Sequence, residues 1–151
     1  MRVYLGSDHA GYELKTVLVT RLPEWGYVPV DVGPHSYDGG DDYPPYILDT
    51  ARRVAEDVGS LGVVIGGSGN GEAIAANKVG GVRAALAHNE DTARLGREHN
   101  DANVISVGAR MHSIEEAVHL VEIFLKTSFS EDPRHVRRIA MIADYELHRS
   151  G

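Results

Sequence analysis

Five short apolar runs, each separated from the next by a helical or glycine-rich pattern, constrain this chain more than any other feature. They are Val3-Tyr4-Leu5, Tyr27 to Val32, Leu61 to Ile65, Val82 to Ala87 and Val104 to Val107. Several are near-continuous rather than alternating, as parallel strands buried on both faces are. Between the first two runs, Leu14, Val17, Leu18, Leu22 and Trp25 recur at helical spacing. Ile47, Ala51, Val54, Ala55 and Val58 do the same before the third. Ser113-Ile114-Glu115-Glu116 has the form of a capping box, opening a helix with Ala117, Val118, Val121, Phe124 and Leu125 inward. Asp132-Pro133 opens a last helix to about His148, with Val136, Ile139, Ala140, Ala143 and Leu147 apolar. This alternation predicts an α/β fold, an open sheet with helices on both faces. The stretch from Gly33 to Pro45 reads as one long loop, and such loops in compact folds are more often functional than idle.

With 151 residues, the chain fits a single domain, 1–151, around one core. A net charge of −7 argues against nucleic acid or an anionic membrane as the partner. No cysteine is present, which excludes thiolate catalysis and cysteine-ligated zinc. The segment Met1 to Leu5 is already strand-like and no apolar run is long enough to span a bilayer, so a cytoplasmic protein is expected.

Open α/β sheets bind ligands beyond the carboxyl ends of their strands. The polar segments near those ends are Ser7-Asp8-His9, the glycine loop after the third run, His88-Asn89 and Gly108-Ala109-Arg110. With Arg97-Glu98-His99-Asn100-Asp101, which precedes the fifth run, they are expected to converge on one edge. The glycine loop, Gly66-Gly67-Ser68-Gly69-Asn70-Gly71-Glu72, follows a strand and precedes a helical pattern, so its N–H groups can converge on an anion. It fails three familiar motifs at named positions. A P-loop needs lysine after its last glycine, where Glu72 stands. A dinucleotide fingerprint needs Gly or Ala at that same position. A nucleophile elbow around Ser68 needs glycine at Asn70, which makes a serine hydrolase remote.

Each candidate also has a plainer reading. Glu72 can cap a helix dipole as readily as move a proton. Asp8 alone suits a helix cap, and His99 suits a helix C-terminus. Arg134 and Arg138, one turn apart, form either a solvated basic face or a phosphate clamp. A metal site is disfavoured, because there is no HxxxH pair and Asp41 and Asp42 sit in a flexible loop.

Taken together, the segments point further. Leu5 to Gly11, Asp42-Tyr43-Pro44, Gly66 to Glu72 with Ala75-Ala76-Asn77-Lys78, and Arg97 to Asn103 resemble the type B ribose-5-phosphate isomerases. Related galactose-6-phosphate isomerase subunits share that superfamily. The similarity runs from Met1 to about Tyr145. Much of the family carries a catalytic cysteine at the position of Gly66. This chain resembles the branch in which a glutamate ending the loop is the base, and Glu72 matches it.

The resemblance implies a three-layer α/β/α, Rossmann-like sheet of five parallel strands in the order 2-1-3-5-4, with a C-terminal helix. It implies interconversion of D-ribose 5-phosphate and D-ribulose 5-phosphate through an enediolate, as in the non-oxidative pentose phosphate pathway, with no cofactor and no metal. Glu72 would shuttle the proton. Gly67, Gly69, Asn70 and Gly71 would hold the oxyanion through backbone N–H groups, with Ser68 adding a hydroxyl. His99 and Asp8 would open the furanose ring. His9, Arg110, Arg134 and Arg138 would hold the phosphate, and Tyr43 and Asn100 the sugar hydroxyls. The site would lie between subunits of a homodimer, with a tetramer as the larger alternative. The loop's N–H groups should lower the pKa of Glu72, which burial would have to offset. Tetrose or hexose phosphates, or a non-catalytic sugar-phosphate sensor, are the alternatives.

Overall fold

The computed structural model describes residues 1–149. Five parallel strands, β1 (Arg2–Ser7), β2 (Val28–Gly33), β3 (Leu61–Gly66), β4 (Ala84–Leu86) and β5 (Val104–Gly108), form one sheet in the order β2-β1-β3-β5-β4. This is the expected order. The helices are α1 (Tyr12–Arg21), α2 (Pro44–Glu56), α3 (Asn70–Ala76), α4 (Glu90–Asn100), α5 (Ile114–Lys126) and α6 (Pro133–His148). None among the described residues is long and apolar enough to cross a membrane.

The central strands β3 and β5 are buried at every position, which explains their unbroken apolar character. On one face, Leu14 and Leu18 of α1, Ala93 of α4 and Val121 and Phe124 of α5 pack with Val63, Ile65, Ile105 and Val107. On the other, Ile47, Ala51 and Val54 of α2 and Ala76 of α3 pack with Val64 and Val104. Each fully buried side chain of this size stabilises the fold by about 1.5–3 kcal/mol.

The second helical stripe stops short of Val58, which is exposed beyond the end of α2 at Glu56. Three other features also differ from the sequence reading. The first helical stripe does not continue to Trp25: with Pro23 in the sequence, Leu22–Trp25 tightens into a 3-10 turn closed by left-handed Gly26. The fourth strand shrinks to three residues because it lies at the sheet edge, where Asn77 takes the place of a neighbour. The Asn77 side chain accepts from the Ala84 N–H and donates to the Ala84 carbonyl, which blunts an open edge. Finally, Ser113 does accept from the Glu116 N–H, but the reciprocal capping box belongs to Asn89 and Thr92 at the start of α4.

The last helix stands apart. His135 is its single buried residue, whereas Val136, Met141, Ile142, Tyr145 and Leu147 are exposed. Its described contacts to the body of the chain are few, among them Glu146 accepting from the Gly81 N–H.

Candidate active site

The carboxyl edge brings together most of the residues that the sequence nominates. At the end of β3 the chain turns through Gly67 and Ser68 into Gly69, whose φ of +86° only glycine adopts without strain. Gly69 is the N-cap of α3 and places Asn70, Gly71 and Glu72 in its first turn. Buried Ser106 of β5 donates to the Gly69 carbonyl at 2.7 Å and locks the turn. Ser68 accepts from the Asn70 N–H at 3.2 Å. The Ala109 and Arg110 N–H groups donate to the Gly66 and Gly67 carbonyls, which fastens the end of β5 to the loop. Arg110 then lies over Gly67, with its Nη1 3.3 Å from where a Cβ there would be. A Cβ on Gly71 would meet the Tyr43 hydroxyl, so Tyr43 covers the far side of the turn.

The Glu72 side chain fills the space beneath this loop. A Cβ on Gly66 would coincide with its carboxylate, so any larger residue at position 66 requires that carboxylate to move. Glu72 is only 4% exposed, and burial raises its pKa above the ordinary carboxylate value. The N–H groups of Glu72 and Gly69 pull the other way, while the nearby Asp8 carboxylate adds to the rise. Burial wins over the loop's N–H groups. The capping reading is also realised in part, since Gly69 is the N-cap whose N–H faces this side chain.

Asp8 and His9 leave β1 beside this loop. The Asp8 carboxylate accepts from the Gly11 N–H at 3.1 Å, as a cap does, and the Asp8 N–H donates to the Ile65 carbonyl. His9 is held by Asp41, whose Oδ1 lies 2.7 Å from Nδ1 and 3.0 Å from the His9 backbone nitrogen. Asp41 corrects the sequence reading: it is not a loose acid in a flexible loop, since its side chain is 6% exposed and bonded to His9. Nothing in its local sequence sets it apart from Asp42, and only the return of the loop to β1 reveals it.

The convergence of all five polar segments on one edge does not hold within the chain. A helix between parallel strands runs antiparallel to them, so α4 carries His99 and Asn100 back to the amino edge. There Arg83, just before β4, donates to the Asn100 and Asp101 carbonyls. Arg97 donates to Asp101, the Ala102 carbonyl and the Thr127 carbonyl, so it serves the turn and not a ligand. His99 stacks on His135 of α6 with ring centroids 4.2 Å apart, and His135 Nδ1 is 2.7 Å from the Ser130 hydroxyl. His99, Asn100, His135 and Arg138 line one cavity of about 180 Å³ with Ile139 and Ile142. Arg134 is exposed at the start of α6, 3.7 Å from Asp132. His135 escaped the sequence reading, although it sits between the two arginines.

A profile of the ribose/galactose isomerase family matches residues 3–142. The chain is 54% identical over 146 residues to the ribose-5-phosphate isomerase B of Mycolicibacterium paratuberculosis, covering 97% of this chain and 92% of that one. Its fold is similar to that of ribose-5-phosphate isomerase B from Mycoplasma genitalium with bound ribulose-5-phosphate, at a TM-score of 0.94 and 39% identity, covering 97% of each chain. It is also similar to the type B ribose 5-phosphate isomerase of Trypanosoma cruzi, at a TM-score of 0.92 and 42% identity, covering 97% and 99%. With this fold and this glycine loop, the chain belongs to the ribose/galactose isomerase family.

Proposed function

We propose that the chain interconverts D-ribose 5-phosphate and D-ribulose 5-phosphate, with Glu72 as the base. The observation that carries this reading is the Glu72 carboxylate, enclosed under an N–H-rich turn with its pKa raised by burial. Burial makes this carboxylate a stronger base than an exposed one, which suits it to take a carbon-bound proton. In the forward direction Glu72 removes the proton from C2 of the open-chain aldose. The C2–H electron pair forms the C1–C2 double bond, and negative charge develops on the carbonyl oxygen. Backbone N–H groups from Gly67 to Gly71, with the Ser68 hydroxyl, stabilise that enediolate. Glu72 then returns the proton to C1, and the hydroxyl proton moves from O2 to O1. No step calls for a metal.

The absence of a side chain at Gly66 supports the glutamate branch of the family, because a cysteine there and the observed position of Glu72 exclude each other sterically. The names of the relatives support the substrate.

The remaining groups complete the site only if a second copy supplies them. His99, Asn100, Arg134 and Arg138 stand on helices at the amino edge or on α6, and the carboxyl edge holds Asp8, His9, Tyr43, Glu72 and Arg110. A homodimer that seats the α4–α6 side of one copy on the carboxyl edge of the other unites them. The exposed apolar residues of α6 support that assembly, since burying them is favourable. His99 and Asp8 then open the furanose ring. Tyr43 and Asn100 bind hydroxyls, and His9, Arg110, Arg134 and Arg138 hold the phosphate.

Incubation with ribose 5-phosphate in the presence of a chelator tests the reading. Ribulose 5-phosphate should accumulate to equilibrium at the rate seen without chelator. Binding without turnover would make the protein a sugar-phosphate sensor. A higher kcat/KM with four- or six-carbon phosphates would move it to another isomerase of the same chemistry.

A further inference from the structure

Of the histidines paired with a carboxylate among the described residues, His9 is the one whose partner is enclosed. The Asp41 side chain is 6% exposed, whereas the carboxylates facing His35, His99, His112, His119 and His148 are between 34% and 76% exposed. Exposed pairs of that kind hold geometry weakly. The His9 pair is built differently. A single oxygen, Asp41 Oδ1, lies 3.0 Å from the His9 backbone nitrogen and 2.7 Å from its ring Nδ1. Both the main chain and the ring are fixed by one acceptor. Asp41 Oδ2 is enclosed and has no hydrogen-bond partner among the described residues.

The segment carrying Asp41 is itself anchored at both ends. Asp41 donates its N–H to the Asp38 carbonyl, and Asp38 accepts from the Gly40 N–H, which closes a tight turn. At the start of the loop, the fully buried Lys15 donates to Asp31 and to the Pro34 carbonyl. At its end comes Tyr43, against Gly71. The His9 and Tyr37 rings form a T-shaped pair, centroid to centroid 6.3 Å at 87°.

We infer that Asp41 is a positioning residue, which sets the tautomer and direction of His9 toward the phosphate of the substrate. The inference rests on the reading of His9 as a phosphate ligand. An ionised carboxylate is acceptor-only, so the ring nitrogen beside it carries hydrogen in either protonation state. That commits Nδ1–H to Asp41 and leaves Nε2, on a side chain that is 25% exposed and without a partner there among the described residues, as the atom that meets an anion. Without Asp41 the ring is free to rotate and to exchange tautomers, and the entropy of fixing it falls on substrate binding. The charged and titratable groups around the ring are Asp41, Tyr37 and the adjoining Asp8. Asp41 therefore acts on affinity and leaves the proton transfer at Glu72 untouched.

Two measurements that need no turnover test this, and steady-state kinetics adds a third. The first is inorganic phosphate affinity of the assembled protein by calorimetry, for the native chain, D41N, D41A, H9A and the double variant D41A/H9A. D41A should weaken phosphate about tenfold, the loss of one charge-assisted contact. D41N keeps a neutral acceptor and should lose less. The double variant should bind as H9A does, because Asp41 works through His9. With ribose 5-phosphate, D41A should raise KM by the same factor and leave kcat within about twofold. Native affinity in D41A, or an equal D41A loss in the H9A background, would overturn the inference. The second is the imidazole nitrogen spectrum of the native protein, which covers the case in which D41A does not fold. Hydrogen on Nδ1 of His9 supports the pair, and a neutral ring with hydrogen only on Nε2 overturns it. If turnover were absent while both results held, the isomerase reading would fall and the positioning role would stand.

Discussion

At the carboxyl edge of the sheet Glu72 is 4% exposed and held beneath Gly66 and Gly69, whereas at the amino edge the His99 side chain is 43% exposed and Arg134 58%. The first region is assembled from the ends of buried strands, so its groups are fixed by the core and their chemistry is tuned by desolvation. The second hangs on the end of α4 and on a helix whose apolar residues stay exposed among the described residues. Proton transfer depends on a perturbed carboxylate and has to be built inside a fold. Holding a phosphate and opening a ring depend on charge and reach, and these can be delivered from outside. On the proposed reading the chain carries the two halves of a site at opposite ends, and a second copy joins them.

The largest effect that separates the two regions is expected at Glu72. Glu72→Gln should reduce kcat by about 10³-fold or more while substrate affinity survives, since the variant loses only the proton transfer. In the native enzyme the acidic limb of kcat/KM should lie above the ordinary carboxylate range, because burial raises the Glu72 pKa and activity needs the ionised form. A limb at the usual carboxylate value, or a Glu72→Gln variant with most of its activity, would remove Glu72 as the base.

On the other side, Arg138→Ala should raise KM for ribose 5-phosphate by about 10–100-fold, the worth of a charged hydrogen bond to phosphate. Binding of unphosphorylated ribose should hardly change. Equal losses for both sugars would take Arg138 out of the phosphate clamp.

A smaller and opposite effect concerns stability. The folded chain binds the Glu72 proton more tightly than the unfolded chain does, so ionising that carboxylate costs stability. The cost is absent below the unfolded carboxylate's pKa and complete above the raised folded one. Glu72→Gln should therefore melt higher than the native protein at pH 7, with the gap closing toward about pH 4. Thermal melts across that range check the sign; a variant less stable at pH 7 would show that the carboxylate is held by favourable contacts.

Most of the carboxyl edge was legible in the sequence because strand ends and glycines write themselves locally. Val63 to Glu72 announces a strand, a turn that needs glycine at 69 and a helix start, and Asp8 and Arg110 follow their strands directly. The order of the strands came from the resemblance to a family. What the sequence concealed depends on where the chain returns. His99 and Asn100 are close to β5 in sequence, yet α4 runs against the strands and delivers them to the other edge. Asp41 looks identical to Asp42 until the loop folds back on His9. The exposed stripe of α6 reads as an ordinary amphipathic helix, because periodicity reports a face and not what covers it.

The joining of the two halves across copies is tested most directly by mixing inactive chains. Glu72→Gln and His99→Ala, each purified as a dimer with little activity on ribose 5-phosphate, are unfolded together at equal amounts and refolded. In a shared-site dimer, a mixed pair collects both lesions in one site and leaves the other site intact. Random pairing then restores about a quarter of native activity. Restoration to that level is the predicted result. Activity no higher than the average of the two variants would mean that each chain completes its own site, and would contradict the account.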